Sequence, residues 1–178
     1  LFRSDSSFFQ REVSSDISDF LTTFYNAEFT FGESVETSDD KNTYVVTEVY
    51  VDGSSTARGY VVAEKYTYKL LYFADVDREN YVLKANDFVN NDTDEFHDID
   101  KLSNYSSSDG FDILKMVKDA NANPTGKLGR FWGWSCGGTY SVETGSCYRN
   151  CCYRVIWAQT TCTAATCSNL PGSNPALP

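Results

Sequence analysis

All six cysteines of this 178-residue chain fall in its last third: Cys136, Cys147, Cys151, Cys152, Cys162 and Cys167. The intervals between them are ten, three, zero, nine and four residues, and the single histidine, His97, lies well upstream. Zinc sites favour Cys-x2-Cys pairs or nearby histidines, so the spacing points to a disulfide framework. Three bridges persist in an oxidising compartment, and the expected location is secreted or extracellular. Cys151 and Cys152 are adjacent and are not expected to bond to each other, because the short ring would be strained. The remaining pairings stay open at this level.

Charge divides the chain at the same place. Residues 1–126 hold 11 basic and 24 acidic side chains, a balance of −13, whereas residues 127–178 hold Lys127, Arg130, Arg149 and Arg154 against Glu143, a balance of +3. The expected organisation is an acidic, cysteine-free body (1–126), a mildly basic cysteine-rich module (127–167) and a proline-containing tail (168–178). With a net charge of −10, nucleic acid is not an expected partner. The longest apolar run, around residues 70–74, is too short to cross a bilayer as a helix. The chain opens on Leu1 and its first ten residues carry no charged-then-apolar leader pattern, as removal of a secretion signal would leave it.

Within the body, Ile17, Phe20, Leu21 and Phe24 recur at helical spacing and predict a helix over 15–27, with Ser14 or Ser15 capping its start. From Thr43 the period changes to two. Val45, Val49 and Val51 share one face of a strand over 43–51, and Tyr44, Val46 and Tyr50 share the other. A second strand is expected to begin at residue 60 and to continue its alternation through 65–70, with Lys65, Thr67 and Lys69 outward and Tyr66, Tyr68 and Leu70 inward. After a turn over 75–80, a further strand covers 81–85. Ile113, Met116, Val117 and Ala120 form the stripe of a second helix over 109–120. The fold class is therefore α+β: an N-terminal helix, an antiparallel meander and a second helix, with the helices covering one sheet face, followed by the disulfide-rich module.

Gly133-Trp134-Ser135-Cys136-Gly137 matches the nucleophile elbow of α/β-hydrolases in letters only, because a glycine pair follows instead of a helix and no histidine follows Ser135. Asp75-Val76-Asp77 reads as a polar turn. His97, flanked by acids, reads as a surface residue. No catalytic residue is assigned, and the protein is expected not to be an enzyme.

Asp92, Asp94, Asp98 and Asp100 lie at near-alternate positions and are candidate Ca²⁺ ligands, set against the simpler reading of a solvated acidic loop. No other cofactor is implied. Asn91 and Asn104 head N-x-S/T sequons and are candidate glycosylation sites. In the module, aromatics alternate with arginines, a composition typical of contact surfaces, and Trp132, Trp134, Arg149, Arg154 and Trp157 are the candidate interface. The same rings could equally be the only core of a small stapled module.

Two functional expectations follow. The first is a secreted structural subunit whose module and tail dock onto further copies of itself, building a fibre or surface assembly. The second is a two-part precursor whose acidic body neutralises a cysteine-rich antimicrobial or toxin-like peptide, released by cleavage near residues 126–130. A monomeric extracellular binding protein is a third class.

Overall fold

The computed structural model describes residues 15–101, 111–123, 127, 130–141 and 145–168. Helix α1 (Ser15–Tyr25) leads into a six-stranded antiparallel meander: β1 (Phe29–Ser38), β2 (Thr43–Val51), β3 (Gly59–Glu64), β4 (Leu70–Asp77), β5 (Val82–Asp87) and β6 (Asp92–Phe96). A 3₁₀ turn at Ile99–Lys101 and helix α2 (Ile113–Ala122) follow. The cysteine-rich region is a second antiparallel sheet, with order β7 (Trp132–Ser141), β8 (Cys147–Val155) and β9 (Ala158–Thr166).

Both predicted helices form, and their apolar stripes are the buried ones. Ile17 and Leu21 of α1 are fully buried, as are Ile113 and Val117 of α2. Asp112 caps α2 by accepting the Lys115 amide at 3.1 Å. The two helices do not share a face, however. Helix α1 packs with Val45, Val49, Val61, Ala63 and Phe73, whereas α2 packs on the opposite face with Tyr44, Val46, Tyr60, Val62 and Ala74. The reason lies in β3: Tyr60, Val61, Val62 and Ala63 are all buried, so both faces of this central strand must be covered.

The alternation expected across 65–70 also gives way. Residues 65–69 are the turn between β3 and β4, and Tyr66 is 75% exposed. The Glu64 carboxylate accepts the Tyr66 amide at 3.0 Å and both the amide and hydroxyl of Thr67 at 2.6 and 2.7 Å, which closes the chain on itself. The same device recurs. Asp39 accepts the Lys41 and Asn42 amides, Asp77 accepts Asn80, and Asp87 accepts Val89 and Asn90. Four hairpin turns are thus each opened by a carboxylate that satisfies turn amides, so part of the body's acidity is turn chemistry. Strands β1 and β6 carry too weak an alternation to have been expected.

Asp75 lies within β4, and Asp77 is its last residue, at the start of the turn. Asp75 is 1% exposed and takes a forked ion pair from Arg58, with Nε–Oδ1 2.7 Å and Nη2–Oδ2 3.2 Å, while the Tyr25 hydroxyl donates to it at 2.9 Å. Burial, with this carboxylate as neighbour, pushes the Tyr25 phenol far above its ordinary value. The space for this cluster exists because residue 59 is glycine: a Cβ there would sit 2.3 Å from the Tyr25 hydroxyl and 2.9 Å from the Phe73 ring.

Candidate functional site

The three bridges are Cys136–Cys151, Cys147–Cys167 and Cys152–Cys162. Their arrangement follows from strand geometry. Cys151 and Cys152 are neighbours on the central strand β8, so their side chains leave on opposite faces. Cys151 faces its cross-strand partner Cys136 on β7, and Cys152 faces its partner Cys162 on β9. Cys147–Cys167 joins β8 to the residue just past β9, where the Cys167 amide also donates to the Cys147 carbonyl at 3.0 Å. Every strand of the small sheet is thereby tied covalently to β8.

This clamped sheet is packed against the body through the aromatic residues. Phe131 stacks on Tyr44 with ring centroids 4.2 Å apart, and Trp132 stacks on Tyr72 at 4.6 Å. Tyr153 lies 5.1 Å from Phe96 and donates its hydroxyl to Asp94. The β8–β9 turn, Ile156-Trp157, is driven into the core: Ile156 is 0% and Trp157 5% exposed. The Trp157 indole N–H donates to Thr37 Oγ1 at 2.9 Å, Thr37 donates to Asn121 Oδ1 at 2.9 Å, and Asn121 donates to the Glu36 carbonyl at 2.7 Å. One polar chain thus ties the small sheet, β1 and α2 together. The body and the cysteine-rich region share a single core cluster.

These positions revise several sequence-based expectations. Trp132 and Trp157 are interface residues, but of an interface inside the chain, and neither is open to a partner. Trp134 is half-buried edge-on to Tyr153 at 5.5 Å. Arg154 donates to the Trp157 carbonyl at 3.1 Å across the hairpin, and Arg149 is half-buried in β8. Ser135 lies mid-strand opposite Cys152, with no elbow beneath it.

The acidic segment is not a single loop. Asp92 and Asp94 are in β6, where backbone pairing with β5 holds them, while Asp98 and Asp100 follow on the far side of Phe96 and His97. Asp94 is spent on Tyr153, and burial raises its carboxyl above the ordinary range, with Asp92 and Asp87 adding repulsion. His97 pairs with Glu95 at 3.0 Å on the surface. Among the described residues, no three His, Cys, Asp or Glu side chains converge on a common metal position. Asn91 sits exposed in the β5–β6 turn at φ +57°. Asn104, the tail beyond residue 168 and most of the 126–130 segment lie outside the described residues.

A cleft of about 320 Å³ opens beside the N-terminus of α2, lined by Glu48, Tyr50, Tyr60, Arg78, Phe111 and Asp112. The Arg78 guanidinium is committed to protein oxygens there: it donates to the carbonyls of Ala57 and Phe111 and to the Tyr60 hydroxyl. No helix in the described residues is long and apolar enough to cross a membrane. No protein-family model, curated protein or solved structure matches the chain. The functional reading therefore rests on these residues alone.

The sheet edges differ sharply. Edge strand β6 carries Asp92, Asp94 and Glu95. Edge strand β1 carries Glu33 and Glu36, is interrupted by a bulge between Phe31 and Ser34, and has its Glu36 carbonyl taken by α2. Edge strand β7 is bulged between Cys136 and Thr139 around its glycines. Edge strand β9 has nine residues, Ala-Gln-Thr-Thr-Cys-Thr-Ala-Ala-Thr, without a charge or a proline. Charges, bulges and covering elements are how sheets avoid pairing with other chains; β9 carries no charge, no covering element lies on it among the described residues, and its bulge is confined to Thr160 and Thr161. This contrast was readable from the sequence only once the edge positions were known.

Proposed function

We propose that this protein is a secreted, non-enzymatic structural subunit that associates with further copies of itself through its disulfide-clamped C-terminal sheet. The observation that carries this reading is β9: a neutral edge held by cross-strand bridges, while the body's own edges are charged or covered. An edge held in this way adds a strand with little ordering cost, which suits a building unit. The disulfides support an extracellular setting, and the exposed Asn91 sequon suits a glycosylated surface there.

The precursor reading loses support because the C-terminal region supplies Phe131, Trp132, Tyr153, Val155, Ile156 and Trp157 to the shared core. Excising it would strip the body's inner face and expose the peptide's own apolar side.

Sedimentation analysis and electron microscopy of natively purified, non-reduced protein test the proposal. Concentration-dependent oligomers or filaments that dissociate on reduction are expected. A monomer at every concentration overturns it.

A further inference from the structure

The backbone of β9 specifies how an added strand would pair. In an antiparallel ladder, cross-strand residues alternate between pairs that exchange hydrogen bonds and closer pairs that do not. Cys152 and Cys162 are cross-strand partners with Cα atoms 4.0 Å apart, the close, non-bonded kind. The amide and carbonyl of Cys162 therefore point away from β8 toward the open edge. By the same alternation, so do those of Ala164, opposite Asn150, and of Thr166, opposite Tyr148. On the other side of Cys162 the register shifts between Cys152 and Arg154, so Thr160 and Thr161 form a bulge that ends the regular edge.

The regular edge is thus short, and its outward groups are spaced evenly about Ala164. Resting on the self-association reading above, we propose that β9 pairs antiparallel with β9 of a second copy about a two-fold axis at Ala164. In that register Ala164 faces its own copy, and Cys162 of each chain faces Thr166 of the other. All the outward amides and carbonyls of these three residues are satisfied, and the two small sheets merge into one continuous sheet. The pairing is self-compatible because no charged residue lies in β9, so no like charges meet. The same operation on β6 would set Asp92, Asp94 and Glu95 of the two copies against one another. Ala164 is exposed and small, so its side chain adds no bulk at the axis. A two-fold contact closes on itself and gives a dimer as the assembly unit.

The test uses the full chain and two opposite-charge variants, Ala164→Lys and Ala164→Glu, alone and mixed in equal amounts, followed by sedimentation equilibrium. Each variant alone is expected to dimerise about fivefold more weakly than wild type, and the mixture to recover at least wild-type affinity, because Lys then faces Glu. Hydrogen exchange on the wild-type chain gives a second readout without substitution. The amides of Cys162, Ala164 and Thr166 should gain protection as concentration rises, while those of β6 should not. If wild type stays monomeric, both this inference and the assembly reading fail. If wild type associates but both variants match it, or the mixture does not recover, or the three amides stay unprotected, the β9 pairing fails and self-association through another surface stands.

Discussion

The β8–β9 turn offers the sharpest test of how this fold is held. Two-residue hairpin turns with positive φ at both central positions favour Asn-Gly, because a Cβ is strained there. Here the two residues are Ile156 at φ 50° and Trp157 at φ 65°, a β-branched side chain and an indole, both buried. Replacing Ile156-Trp157 with Asn-Gly relieves the local conformation, a gain of about 1–2 kcal/mol per residue. It also removes Trp157, which packs edge-on to Phe131 at 5.4 Å and donates to Thr37. Losing a buried tryptophan costs about 3–5 kcal/mol and losing a buried isoleucine about 2–5 kcal/mol. The sum leaves the variant roughly 1–8 kcal/mol less stable, centred near 4–5, despite its better turn sequence. Urea unfolding with the disulfides intact, followed by circular dichroism and tryptophan fluorescence, measures the difference. Trp157→Phe provides a graded control: it keeps a ring and loses the indole donor, and it should lie between the two. An Asn-Gly variant as stable as wild type would show that local turn geometry, not burial of the hairpin tip, governs how the small sheet docks.

Removing the Cys136–Cys151 bridge by double alanine substitution should lower stability by about 3 kcal/mol, the value for a closed loop of its 15-residue span, measured by urea unfolding. Gly59→Ala should cost about 1–3 kcal/mol by forcing Tyr25 and Phe73 from their places, and a nuclear magnetic resonance spectrum should show the Tyr25 ring displaced. The carboxylates give opposite pH signatures. Asp77 is held below the ordinary range, chiefly by the Asn80 side chain, so its stabilisation is present above the unfolded-state value and is lost as pH falls through the depressed folded one. Asp94 is raised by burial, so the folded state keeps its proton longer and stability falls as pH rises from the ordinary carboxylate range to the raised value. Asp94→Asn should therefore flatten the decline on that rising side in acid-titrated unfolding curves, whereas Asp77→Asn should reduce acid sensitivity below it. The reverse assignment of the two slopes would refute these environments.

Much of the fold was legible in the chain because local periodicity carries it. The stripes Ile17/Leu21 and Ile113/Val117 marked the helices, and Val45/Val49 against Tyr44/Val46 marked the two faces of a strand, although not that each face would be covered by a different helix. The cysteine spacing and the absence of nearby histidines marked a disulfide framework. The same local view failed wherever a side chain reached a backbone group out of register with the pattern. Glu64 folds 65–69 into a turn against its alternation, and ladder hydrogen bonds with β5 make a strand of an acidic segment that composition reads as a loop.

What only the tertiary structure decided are the contacts between segments far apart in sequence. The partners of Cys151 and Cys152 depend on the strand register on each side of β8. Whether Trp132 and Trp157 face solvent or the body depends on which sheet face lies beneath them, and Tyr72 and Thr37 settle it inward. The edge position of β9 is likewise a statement about neighbours. A sequence shows that this strand is neutral; only the assembled sheet shows that it is an edge. Periodicity is a property of the chain itself, whereas register, burial and edges belong to pairs of segments brought together by a shared core.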